Sequence, residues 1–239
     1  LDDAPLLARP LGGESDQMTL ERRAARRAHA ALPALEEPDE MIDEPDVAEA
    51  KQATQAVLER ALAGEGFPEE EPLLESAGTR LWAAGAAAPV LSRAPADPAA
   101  ALRSLLDATG PADYLALLAY LHGTPRVHAL LERVRAAAAA GPGLAVTLGY
   151  GPRFQHSTGQ LHKGGPATGV FLQLTAAEEP DLAVPGERYT FGMLRRAQAA
   201  GDWSTLARRG RRVVRLDLGT DVEGALNALA AGLEGTRGA

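Results

Sequence analysis

From Asp46 onward apolar residues recur at helical spacing, with Val47, Ala50, Ala53, Ala56, Val57, Leu58, Ala61 and Leu62 on one stripe that Gly64 and Gly66 close. A loop at Glu69 to Pro72 precedes Thr79 to Ala84 (TRLWAA), which predicts a short strand. Asp97 to Ala108 predicts a helix, because Asp97 is a good N-cap and Pro98 suits a first helical position. Asp113 to Leu121 (DYLALLAYL) is a nearly continuous apolar run between Gly110-Pro111 and Gly123-Thr124-Pro125. Such a run reads as a strand buried on both faces, with a buried helix as the alternative that periodicity alone leaves open.

Thr124 to Ala140 predicts a helix capped by Thr124, with Val127, Leu130, Leu131 and Val134 on its apolar face and Gly141-Pro142-Gly143 as its stop. Leu144 to Gly149, Val170 to Thr175 and Arg211 to Leu218 predict three further strands. Between the last two, Thr190 to Ala200 and Asp202 to Arg209 read as consecutive helices, the second capped by Asp202, and Asp221 to Leu233 as a final helix. Strands separated by helices predict a mainly parallel sheet covered on both faces, a three-layer α/β/α sandwich, because parallel neighbours need a crossover connection. Residues 1–45 fit this scheme poorly. A helix-compatible stretch carrying Arg22, Arg23, Arg26 and Arg27 is followed by Pro33, Pro38, Pro45 and an acidic block, which reads as an irregular lead-in or linker to a domain spanning 46–239.

Composition narrows the class. The 239 residues include no cysteine, which excludes disulfide frameworks, Cys-ligated metal centres and cysteine nucleophiles. A chain of this length buries roughly 70% of its unfolded surface, so its core needs no staple. Against 24 Lys and Arg stand 32 Asp and Glu, a formal charge of -8 that argues against a whole-surface nucleic-acid footprint. No apolar run reaches the ~20 residues of a membrane span. The simplest expectation is a cytoplasmic location, and the opening at Leu1 without methionine reads as a start in mid-protein.

Candidate chemistry concentrates after the strand at Leu144, in Tyr150 to Gly169 (YGPRFQHSTGQLHKGGPATG). In an open parallel sheet, ligands bind beyond the carboxyl ends of the strands. A connection this long inside a compact domain is expected to be functional, and Phe154 and Leu161 are apolar anchors for an ordered lid or binding loop. Lys163 is one of two lysines in an Arg-dominated chain, the other being Lys51. An ammonium can move a proton or meet an oxyanion as a point charge, whereas a guanidinium does not deprotonate. His156 and His162 without a nearby third ligand are a weak metal signal, and acid–base or hydrogen-bonding work on a polyol suits them better. Arg153 suits a phosphate or a carboxylate equally.

The segment GYGPRFQHSTGQLHKGGPATGVFLQLT, with VPGERYTFGMLRRAQAAGDWSTLARRGRRVVRLDLG after it and DEPDVAEAK before it, resembles the C-terminal part of bacterial glucose-6-phosphate isomerases of the type fused to transaldolase. The resemblance runs from about Asp43 to Gly219 and implies a sugar-isomerase (SIS-like) domain. It further implies interconversion of glucose 6-phosphate and fructose 6-phosphate by ring opening and an enediol, with no metal or organic cofactor. Aligned on the family signature, Lys163 takes the place of the lysine that assists ring opening, Gln160 that of a glutamate, and His156 that of a phosphate-proximal glutamine. Arg153, Ser157, Thr158, Gly159 and His162 are the implied substrate-binding residues. The implied partners are a sugar-phosphate substrate, a second copy in a homodimer, an N-terminal isomerase lobe and a transaldolase domain, with no nucleic acid and no membrane. Because no Gly-Gly-Arg segment or Ser/Thr phosphate loop precedes residue 100, the catalytic base is expected outside this chain. The rival expectation is a non-catalytic sugar-phosphate-binding or regulatory module. Retained transaldolase chemistry would need a buried Schiff-base lysine, for which Lys51 and Lys163 are poor candidates.

Overall fold

A computed structural model describes residues 45–67, 70–93, 95–140, 143–156, 158–177 and 180–235. The helix expected around the N-terminal arginines lies outside them. Six strands form one sheet in the order β1-β2-β6-β5-β3-β4: β1 (Leu74–Ser76), β2 (Thr79–Ala84), β3 (Tyr114–Tyr120), β4 (Ala145–Tyr150), β5 (Gly169–Thr175) and β6 (Arg212–Asp217). The four from β3 to β6 run parallel, while β1 and β2 are an antiparallel hairpin joined to β6. Helices cover both faces, giving the three-layer α/β/α sandwich. They are α1 (Pro45–Leu62), α2 (Pro98–Asp107), α3 (Pro125–Ala140), α4 (Thr158–Gly164), α5 (Phe191–Arg208) and α6 (Val222–Glu234). Among the described residues no helix is long and apolar enough to cross a membrane.

Strand β3 explains why DYLALLAYL is apolar throughout. It lies between β4 and β5, and all seven of its residues are buried. Side chains alternate across a strand, so Leu115, Leu117 and Ala119 join the core beneath α2, α3 and α6. Tyr114, Ala116, Leu118 and Tyr120 face the other layer, with Phe154, Phe171 and Trp203. The expected caps form: the Asp97 carboxylate accepts from the Ala100 N–H at 2.7 Å, and the Thr124 hydroxyl accepts from the Val127 N–H at 3.1 Å.

Two expectations need correction. The stretch from Thr190 to Arg209 forms one helix, α5 (Phe191–Arg208) with those two residues as its caps, and not two. Gly201 and Asp202 read as a break and a cap, but Gly201 is where α1 crosses α5. A Cβ there would lie 2.6 Å from Thr54 Oγ1 and 2.8 Å from the Thr54 backbone nitrogen. Asp202 is buried in mid-helix by a partner from α4. Gly201→Val is therefore expected to cost about 1–3 kcal/mol, the usual range for overpacking, because the nearest obstacle includes backbone. Chemical denaturation would read the loss, and a variant as stable as the parent would refute the close crossing.

The second correction concerns 150–169, read as a lid or binding loop. It contains a 3-10 turn (Arg153–His156) and α4, the crossover that returns the chain from β4 over β3 to β5. Glycines and hydroxyl residues obscured the helix, although a parallel connection demanded one. The two anchors part company: Phe154 is buried, Leu161 only half-buried.

Candidate functional site

From β3 the chain passes through α3 to β4 on one side, and from β5 through α5 to β6 on the other. Helix α3 lies on one face of the sheet and α5 on the opposite face. Beside the carboxyl ends of β3 and β5 the winding direction reverses, the position at which doubly wound sheets open a crevice for ligands. A cleft of about 720 Å³ lies there. One wall is the β3–α3 turn with His122 and Thr124, continued by His128 on α3. A second is the end of β4 with Tyr150 and Arg153. The third is the first two turns of α5, with Arg195 and Gln198. The lining carries two arginines and two histidines, and none of the described residues lining it is acidic. Its volume is in the range of small-molecule sites.

Of the residues singled out in the sequence, Arg153 lines this cleft and is exposed. The backbone of His156 closes the 3-10 turn, its side chain lies outside what the structure describes, and Ser157 lies outside the described residues. Thr158 opens α4, exposed, with its hydroxyl 3.4 Å from the Phe154 carbonyl. Gly159 is buried in α4 and Gln160 half-buried, and neither lines the cleft.

His162 and Lys163 are carried inward by α4. The His162 ring sits among aromatic rings, 4.9 Å from Phe171, 6.1 Å from Tyr114 and 6.2 Å from Phe154, between centroids. Burial, reinforced by the positive charges of Lys163 and Arg211, pushes its pKa down to about 3, so the imidazole is neutral. Lys163 is 3% exposed and its Nζ lies 2.8 Å from Asp202 Oδ1, itself 2% exposed. The ammonium thus meets a carboxylate of α5 instead of the cleft. The carbonyl of Lys163 in turn accepts from Arg211 at 2.5 Å and Arg209 at 3.2 Å. The group expected to meet substrate therefore holds α4 to α5 in this geometry. Among the described residues no three His, Asp or Glu gather as metal ligands.

Tyr150 opened the candidate segment without being singled out, and His122, Thr124, His128, Arg195 and Gln198 were missed as site residues in the sequence. The available signal was positional: His122 and Thr124 follow the carboxyl end of β3, and the strand-end rule applies to that turn as much as to the one after β4.

Strand order, two helical layers and a cleft at the reversal point define a doubly wound α/β domain. No protein-family model matches the chain, and no curated protein matches it. Among solved structures it is similar to a hypothetical protein from Thermus thermophilus, at 18% identity and a TM-score of 0.47, over 62% of this chain and 41% of that one. The chain thus spans less than half the length of that protein.

Proposed function

We propose that this chain is the second lobe of a glucose-6-phosphate isomerase-like enzyme, whose switch-point cleft receives a phosphorylated sugar. The observation that carries the reading is a cleft lined by Arg153 and Arg195 from different elements, with no acidic side chain among its described lining residues. Guanidinium groups bind phosphate with paired, charge-assisted hydrogen bonds, and a cleft lined with positive side chains concentrates anions. Thr124, Gln198 and His122 offer hydrogen bonds for sugar hydroxyls. The chemistry requires ring opening and proton transfer between C2 and C1 by a carboxylate. No described cleft residue supplies one, so that base belongs to a first lobe. The resemblance of residues 149–175 to the isomerase family supports the same reading.

Calorimetric titration of the chain with 6-phosphogluconate is expected to show binding that Arg153→Ala weakens about tenfold or more, the scale of one lost charge-assisted contact. Undetectable binding at millimolar ligand would reject the reading. The absence of a carboxylate among the described cleft residues equally suits a binding module without catalysis. An upstream reading frame in phase with Leu1, encoding a phosphate loop and a glutamate base, decides for the enzyme.

A further inference from the structure

The cleft holds one pair of side chains whose mutual placement the phosphosugar reading leaves unused. Tyr150 ends β4 and His128 lies on α3; their rings stack at 6.0 Å and 30°, and the Tyr150 hydroxyl is 3.4 Å from His128 Nδ1. Tyr150 is confined from behind by the backbone of Gly123, where an added Cβ would come within 3.2 Å of its Cε1. The phenol is half-buried, and burial together with the charge of Glu132 raises its pKa above the ordinary tyrosine value. It therefore stays neutral near pH 7, with an oxygen able to accept a hydrogen bond from His128 Nδ1–H. In the tautomer whose Nδ1–H donates to the phenol oxygen, Nε2 is the basic nitrogen left to take up a proton, and His128 itself is exposed at the cleft wall.

We propose that His128, positioned by Tyr150, is a proton-linked contact to the phosphate of the cleft's ligand, taking up a proton as the dianion binds. The inference rests on the reading of the cleft as a phosphate-ester site and adds to it the group that carries pH dependence. The charged and titratable groups around His128 are consistent with this. Arg153 and Arg195 line the same cleft from the β4 turn and α5, and His122 from the β3–α3 turn. Glu132, one turn further along α3, is engaged by Arg135 at 2.5 Å, and Arg126 by Glu223 of α6. No carboxylate among the described residues lining the cleft competes with the incoming anion, and a dianion beside the ring favours the imidazolium. The proton comes from the buffer, and Nε2–H then donates to a phosphate oxygen.

The test is calorimetry at pH 8 with 6-phosphogluconate and, separately, inorganic phosphate, each in two buffers of different ionisation enthalpy. Binding is expected to take up protons, visible as a buffer-dependent enthalpy. H128Q is expected to abolish that uptake and weaken binding about tenfold. Y150F should retain the parent unfolding midpoint and lose part of the uptake, which a merely structural tyrosine would not produce. Absence of uptake in the parent, or uptake unchanged in H128Q, overturns the proposal. Equal affinity for both ligands with His128-dependent uptake keeps it and removes the sugar-phosphate reading. Preference for 6-phosphogluconate without such uptake does the reverse, and no binding of either overturns both.

Discussion

Asp202→Ala is expected to destabilise the chain by about 3–5 kcal/mol, the cost of leaving the other member of a buried ion pair uncompensated. Lys163 and Asp202 are 3% and 2% exposed and 2.8 Å apart, so solvent does little to screen them or to solvate the survivor. Two charges removed together leave no such orphan, and apolar residues of similar volume often replace a buried pair without loss. The double variant Lys163→Met, Asp202→Leu is therefore expected to recover most of the deficit. Urea unfolding with an unchanged denaturant slope reads both effects, and a single variant within about 1 kcal/mol of the parent would contradict the buried-pair account. The same set separates brace from chemistry. Lys163→Ala lowers ligand binding or turnover under either role, because α4 follows the turn bearing Arg153 while α5 carries Arg195. Only a chemical role predicts that the stable double variant remains defective.

A second large effect is set by His162. Its folded-state pKa is about 3, against roughly 6.5 for a histidine in an unfolded chain. Above that value the ring is neutral in both states and pH has no leverage. Below it the unfolded state binds a proton that the folded state refuses, so stability falls as pH falls, by up to about 1.4 kcal/mol per pH unit. At pH 5 the loss is about 2 kcal/mol relative to pH 7. Few carboxylates titrate between about pH 5 and 6.5, which isolates the histidine. His162→Leu should flatten the dependence in that window, whereas a parent profile already flat there would remove the neutral buried imidazole.

Most of the sandwich was legible because its strands and helices announce themselves by burial on two faces or on one. Residues 113–121 read as a central strand since no polar residue interrupts the apolar run, and Asp97 and Thr124 are caps whose chemistry is local. What escaped depended on neighbours remote in sequence. Gly201 carries no local mark saying that Thr54 will press against it, and Asp202 looks like a cap until Lys163 arrives from another helix. Strand β1 is three residues long, too short for alternation to register. In the site, the sequence located the β4 turn and Arg153 but took the whole polar segment as one surface. Helical geometry in α4 turned His162 and Lys163 into the interior, while the cleft drew its other walls from the β3 turn and α5.

The hairpin at the antiparallel end of the sheet has a cost in time as well as in space. Each parallel pairing joins strands linked through a single crossover or, for β3 and β5, through two, so the rungs of that half can form among near neighbours. The seam between β2 and β6 is different: it aligns Arg80 with Asp217 and Ala84 with Val213, positions from opposite ends of the described chain. The entropy of closing so long a loop must be overcome before the first rung of that ladder forms. The Arg80–Asp217 ion pair, at 3.5 Å and partly exposed, lies on that same seam. Contact order is thus distributed unevenly across the sheet, concentrated at one joint, while the strands that build the cleft are assembled from the more local half.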